Sequence, residues 1–215
     1  MKTIRTLLVA SLALGGALAS APAQAADEPT PAAAPTRHGA GNKGFFVTGK
    51  VGGIVPFGGL GPNAIGGIDL GYALDMGLAF GVAADYAAPK ADGTETDARV
   101  AGGQYKWHLT QQMLQVMPFV MYRIKTSGLL VPYAGVGPRI YMLQSFVKGE
   151  GPAFQETREQ STKVGVGVPL GLEIRLGPGA AIAELLLQYG GLNHTATGDS
   201  NAGAASLSLG YRMMF

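Results

Sequence analysis

No cysteine occurs in the 215 residues, which excludes disulfides, a Cys-linked lipid anchor and any thiol chemistry. Only three histidines are present, His38, His108 and His194, and they are too scattered in the chain to suggest a metal set. No phosphate-cradling loop or dinucleotide fingerprint appears, so no cofactor is expected. Charge is sparse, at 14% of residues, and no run of one sign points to a nucleic-acid partner. Past the first 25 residues, no apolar run approaches the ~20 needed for a spanning helix. If the chain resides in a membrane, it must cross as a closed barrel, which satisfies every backbone group without helices.

The amino-terminal stretch Met1–Ala25 has the build of a secretory signal. Lys2 and Arg5 form its charged start, Leu7–Ala19 a short apolar core, and Ala23-Gln24-Ala25 a small-x-small cleavage pattern. The core is too short to anchor the chain, so cleavage is expected. The full sequence has 16 Lys+Arg against 14 Asp+Glu. Loss of Lys2 and Arg5 removes that excess, and the apparent basicity belongs to the leader. Residues Ala26–Lys43 are rich in Pro, Ala and Gly with almost no large apolar side chain, which predicts a flexible periplasmic extension. His38 lies within it as a solvated bystander. Glycine is abundant, 34 of 215 residues, without the period of collagen or a low-complexity run. Glycines spread through apolar segments suit curved strands and a crowded barrel interior.

Residues 44–215 read as eight alternating strands of a single barrel domain. These are Phe45–Val55, Ala64–Leu74, Gly77–Ala88, Met113–Ile124, Leu130–Phe146, Ser161–Leu176, Ala180 to about Asn193, and Gly203–Phe215. Tight links near Asp75, Thr126 and Pro178 alternate with longer ones at Pro56–Asn63, Pro89–Gln112, Val147–Gln160 and His194–Ala202. That asymmetry is typical of outer-membrane barrels, with short periplasmic turns and longer outer loops. Arg99–Leu109 also alternates. A ninth spanning strand would put the termini on opposite sides of the membrane, so parity assigns it to an outer hairpin, with Tyr105 and Trp107 near or beyond the outer interface.

The charges within the strands fall on the face opposite the apolar one. In Thr162–Leu176, Val164, Val166, Val168, Leu170, Leu172, Ile174 and Leu176 share one side, whereas Lys163, Glu173 and Arg175 share the other. An ionised Lys or Arg facing lipid costs ~2–4 kcal/mol at mid-bilayer. The inward charged set expected on this basis is Lys50, Asp69, Asp85, Arg123, Arg139, Lys163, Glu173, Arg175, Glu184 and Arg212. Eight strands give a lumen just wide enough for its own side chains, so each acid should lie against a base, with Arg212 opposite Glu184 or Glu173. A structural ion-pair plug is the first expectation. A narrow pore is the alternative, slightly anion-favouring from two surplus bases and roomier at Gly135, Gly137, Gly165, Gly167 and Gly171.

The final strand alternates to the last residue, with Tyr211, Met213 and Phe215 on its apolar face. The segment Val131-Pro132-Tyr133-Ala134-Gly135-Val136-Gly137-Pro138-Arg139-Ile140-Tyr141 resembles the PYxGxGxGxY stretch of small outer-membrane barrels of the OmpA/OmpX/OmpW-like superfamily. With the Tyr-x-x-x-Phe terminus, the resemblance spans about Phe45 to Phe215. It implies an eight-stranded antiparallel up-and-down transmembrane β-barrel, inserted by the barrel assembly machinery through a terminal signal at Tyr211, Met213 and Phe215. It implies no catalytic residues. The chain ends at Phe215, so the peptidoglycan-binding domain of full-length OmpA-type proteins is not expected. OmpW-like members are associated with passage of small apolar molecules.

Catalysis has little to build on. Asn193-His194-Thr195-Ala196-Thr197, with Ser200 nearby, is similar to the His-x-Ser-Asn motif of lipid A deacylases in its histidine alone, because the nucleophile position is Ala196. His108 has no Ser or carboxylate at a meaningful spacing in the sequence. The expectation is a non-enzymatic, monomeric integral outer-membrane protein of a Gram-negative bacterium. Its partners are outer-membrane lipids and lipopolysaccharide, and its role is structural or surface-interacting. A narrow channel is the first rival and a lipid-modifying hydrolase the second.

Overall fold

The computed structural model describes residues 43–97, 102–149, 156–192 and 201–215. The expected leader, nearly all of the extension, and the His194 motif lie outside these residues. Nine strands are described: β1 Gly44–Pro56, β2 Asn63–Ala73, β3 Leu78–Ala87, β4 Lys90–Thr96, β5 Gln104–Arg123, β6 Leu130–Gly149, β7 Thr157–Leu176, β8 Gly179–Tyr189 and β9 Ala204–Met214. The sheet order is β3-β2-β1-β9-β8-β7-β6-β5-β4, and pairing of β3 with β5 closes it. Every ladder is antiparallel. Eight strands therefore form a closed barrel, and β4 stands outside it, paired with the first residues of β5.

Alternation sets the register. On β9, Leu207, Leu209 and Met213 are exposed whereas Ser206, Ser208 and Arg212 are buried. Neighbouring strands keep the same phase, with Val51 of β1 opposite Leu209 and Thr48 opposite Arg212. A slip of one residue would turn every charge toward lipid, so the pattern permits one pairing. The turn between β2 and β3 closes tightly, the Gly77 amide donating to the Leu74 carbonyl at 3.0 Å. Gly77 adopts φ +93° there, a conformation other L-residues rarely take.

One expectation requires correction. Pro89–Gln112 is not a loop: β4 and the first part of β5 occupy most of it, and β5 runs without a break from Gln104 through Arg123. Val147–Gln160 is likewise partly strand. β5, β6 and β7 each have 20 residues, against 10 to 13 for β1, β2, β3, β8 and β9. A bilayer needs ~9–11 residues per strand, so about nine residues of each long strand project past the barrel wall, about 30 Å along the strand. Polar Thr110, Gln111 and Gln112 sit where the strand leaves the apolar zone. Tyr105 and Trp107 lie on this projection, both half-buried on the side continuous with the lumen.

The lumen is a packed core. Phe46, Ala73, Ala79, Ala83, Met117, Phe119, Met121, Tyr133 and Leu186 form one buried cluster. A second joins Met113, Tyr141, Leu143, Leu192 and Ala202, and a third Ile54, Ile65, Ala87 and Ala204. Apolar side chains thus line much of the inner wall, where the sequence pattern drew attention to charge.

Candidate functional site

Between these apolar clusters lies a charge network contributed by all eight barrel strands. Lys50 is its hub. Its Nζ is 2.9 Å from Asp69, 2.9 Å from Glu184 and 3.6 Å from Asp85. Glu184 also accepts from the Tyr133 hydroxyl at 2.9 Å. Asp85 accepts from Arg139 at 2.7 Å, and Arg139 Nε donates to Gln115 at 3.0 Å. Glu173 is shared by Arg123, at 2.6 Å, and Arg212. Arg212 Nε donates to Thr48 at 2.9 Å, and its guanidinium lies 4.6 Å above the Phe46 ring.

Of the ten residues expected to face inward, eight are buried: Lys50, Asp69, Asp85, Arg123, Arg139, Glu173, Glu184 and Arg212. They comprise four bases and four acids, so the buried set is formally neutral. Lys163 and Arg175 are half-buried toward the two ends of β7 and outside the buried set. The two surplus bases that suggested an anion-favouring lumen are these two. Burial of an unpaired charge is costly, and neutrality with multiple contacts per ion is what makes the network tolerable.

The room expected at the inward glycines is occupied. A Cβ on Gly171 would meet the Tyr133 ring at 2.2 Å, one on Gly167 the Met117 sulfur at 2.5 Å, and one on Gly165 the Tyr141 ring at 2.9 Å. Large side chains of the neighbouring β6 and of β5 lie over these glycines. Glycine here makes space that aromatics and methionines fill.

The sequence also missed a pairing outside the barrel. His108 of β5 stands directly across from Asp92 of β4, with His108 Nδ1 2.5 Å from an Asp92 carboxylate oxygen. The carboxylate that sixteen residues of separation concealed is supplied by the hairpin register. Both side chains are exposed, at 50% and 70%, and the pair lies on an open sheet face. Among the described residues, no group of three or more His, Asp or Glu is arranged to hold a metal.

At the opposite end of the barrel, the Phe215 amide donates to the Phe45 carbonyl at 2.8 Å and extends the β1–β9 seam by one bond. The Phe215 ring is 72% exposed, as are the apolar faces of Tyr211 and Met213 in part. All three expected signal residues therefore lie on the outer surface of the final strand.

A closed eight-stranded barrel with an apolar belt outside and ion pairs inside agrees with the comparison against family models. The outer membrane protein beta-barrel domain matches residues 10–212. The chain belongs to that family. Its place is accordingly the bacterial outer membrane, and the short-turn end, where β1 begins and β9 ends, corresponds to the periplasmic end of such barrels. Among solved structures, Neisserial surface protein A (NspA) aligns with a TM-score of 0.52 at 21% identity, covering 80% of this chain and 97% of that one. A major outer membrane protein from Thermus thermophilus gives 0.51 at 13% identity, with 80% and 99% covered. OprG from Pseudomonas aeruginosa gives 0.46 at 12%, with 82% and 98% covered. At these identities the likeness is one of fold. No curated protein matches the chain. Within this barrel domain, β5, β6 and β7 are the long strands.

Proposed function

We propose that this is a sealed, non-catalytic barrel that anchors an outward-projecting sheet for interaction at the cell surface. The observation that carries the reading is the neutral set of eight buried charges, held between apolar clusters in the lumen. A conducting path would require those ion pairs to open, and each buried partner left alone costs about 3–5 kcal/mol. Three strands prolonged well past the belt are superfluous for an anchor, and they give the projecting sheet its rigidity.

The non-catalytic part of the reading rests on His108. Among the described residues it is the one histidine, and it stands on an open face rather than beside an enclosed hydroxyl nucleophile. Planar-bilayer recording of the purified barrel tests the seal. A flat trace is expected, whereas steady unitary steps would favour the narrow channel. Lipid A mass spectra from cells with and without the protein test for catalysis, and identical spectra are expected.

A further inference from the structure

We propose that the outward face of β4–β7, where those strands leave the apolar belt, seats the phosphate-bearing headgroup of an acylated glycolipid of the outer leaflet. The proposal rests on the outward-sheet reading above and is independent of whether the lumen is sealed.

The ladder registers bring this face together row by row. Nearest the membrane, Leu114 and Met142 are opposite one another and exposed, continuous with exposed Val164 below. The next row outward is made of amides: Gln112 faces Gln144, and Gln144 faces Gln160. Beyond it, Lys90 pairs with Thr110, Thr110 with Phe146, and Phe146 with Arg158. A further row sets Asp92, His108 and Lys148 side by side, and Lys106 follows beside Thr94. Apolar, amide and cationic bands therefore succeed one another across these five rows, or ~25 Å of strand. A phosphorylated glycolipid lying along the wall would set its acyl chains against the apolar band and its sugars, with the phosphates they bear, against the amide and cationic bands.

Three further observations favour that occupant. A groove of about 430 Å3 opens at the boundary, lined by Tyr86, Gln112, Leu114, Met142, Gln144 and Gln160 among others. It combines an apolar floor with hydrogen-bonding amides, as a sugar with attached acyl chains requires. The acids that share the outward parity there are already engaged: Asp92 with His108 at 2.5 Å and Glu156 with Arg158 at 2.7 Å. Lys90, Lys106 and Lys148 are all exposed and have no acidic partner among the described residues. The outward residues at the long-loop ends of the other strands, including Val55, Ala64, Leu187, Tyr189 and Leu207, bring no cation. The charge is gathered on one flank, above one groove.

The test uses the barrel extracted from outer membranes in mild detergent, with bound lipid counted by native mass spectrometry. It is titrated separately with bisphosphorylated lipid A, its phosphate-free counterpart and phosphatidylglycerol. The wild type is expected to retain bisphosphorylated lipid A above the other two. Replacing three exposed lysines, as in K90Q/K106Q/K148Q, should weaken that retention by about tenfold. The K43Q/K125Q control at the periplasmic end should leave it unchanged. Both variants should keep heat-modifiable migration, since every altered side chain is exposed. Equal retention in the two variants, equal retention of the phosphate-free lipid, or equal retention of phosphatidylglycerol would each overturn the proposal. A conducting barrel that still passed this test would overturn the sealed lumen alone.

Discussion

Arg212 on β9 donates to Glu173 on β7 across the lumen, although β8 lies between the two strands in the sheet. Glu173 is reached at the same time by Arg123 of β5. Three strands that share no ladder with one another are thus tied at one carboxylate. Backbone pairing closes the wall, and this side-chain contact fixes what fills it. Among the described residues, Arg139 and Arg212 are the largest fully buried side chains, so the centre of the barrel is held by guanidinium groups that no hydrocarbon residue would replace in shape.

Removing the shared acid should be severe. Glu173→Gln removes the carboxylate that Arg123 and Arg212 share and leaves Arg212 the longer contact with Asp69 at 3.9 Å, and the expected loss is about 3–5 kcal/mol. Urea titration of the barrel refolded into lipid vesicles measures it. The double variant E173Q/R212Q should recover part of the loss, because one orphaned cation is then removed. An unchanged midpoint for E173Q would show that the acid is solvated in the folded state.

Gly171 tests whether the glycines serve packing or passage. Gly171→Val would drive a side chain into the Tyr133 ring, displacing the hydroxyl that donates to Glu184. We expect a lower yield of heat-modifiable barrel and a destabilisation of about 1–3 kcal/mol, the usual cost of overpacking. Gly128→Ala, with open space around its Cβ, should be neutral in the same assays. Full tolerance of G171V would indicate a roomy lumen.

Deleting Phe215 should separate assembly from stability. Its ring is exposed and its amide supplies one seam hydrogen bond, worth about 1 kcal/mol. Urea midpoints of refolded protein should barely move, while the assembled level in outer membranes should fall several-fold if the terminal aromatic is read during insertion. Normal assembled levels of the deletion variant would remove Phe215 from that role.

Much of this architecture is written in period two. Val164 to Leu176 alternates without a polar intrusion on the lipid side, and that run by itself sets β7, its register and the inward Lys163, Glu173 and Arg175. Lipid enforces the rule, because a misplaced charge there is costly. Above the belt the rule lapses. Lys90–Thr96 carries no apolar stripe, since both of its faces meet water, so β4 was legible only after β5 had supplied its partner. The Asp92–His108 contact was hidden for the same reason. Inside, the sequence marks the charges and conceals the packing. Phe46, Ile54, Met117 and Leu186 are as inward as Lys50, yet hydrophobicity by itself cannot say whether an apolar residue faces lipid or a filled lumen.

The absence of cysteine makes a direct test of the filled lumen simple. Ser208, buried on the inner wall opposite Glu184, is replaced by Cys, with Thr94→Cys on exposed β4 as the reference. Both barrels are treated in membranes with a charged, water-soluble thiol reagent. We predict rapid labelling at Thr94→Cys and none at Ser208→Cys until the barrel is unfolded. Labelling of Ser208→Cys in the native barrel at a rate comparable to the reference would contradict a packed, ion-paired interior.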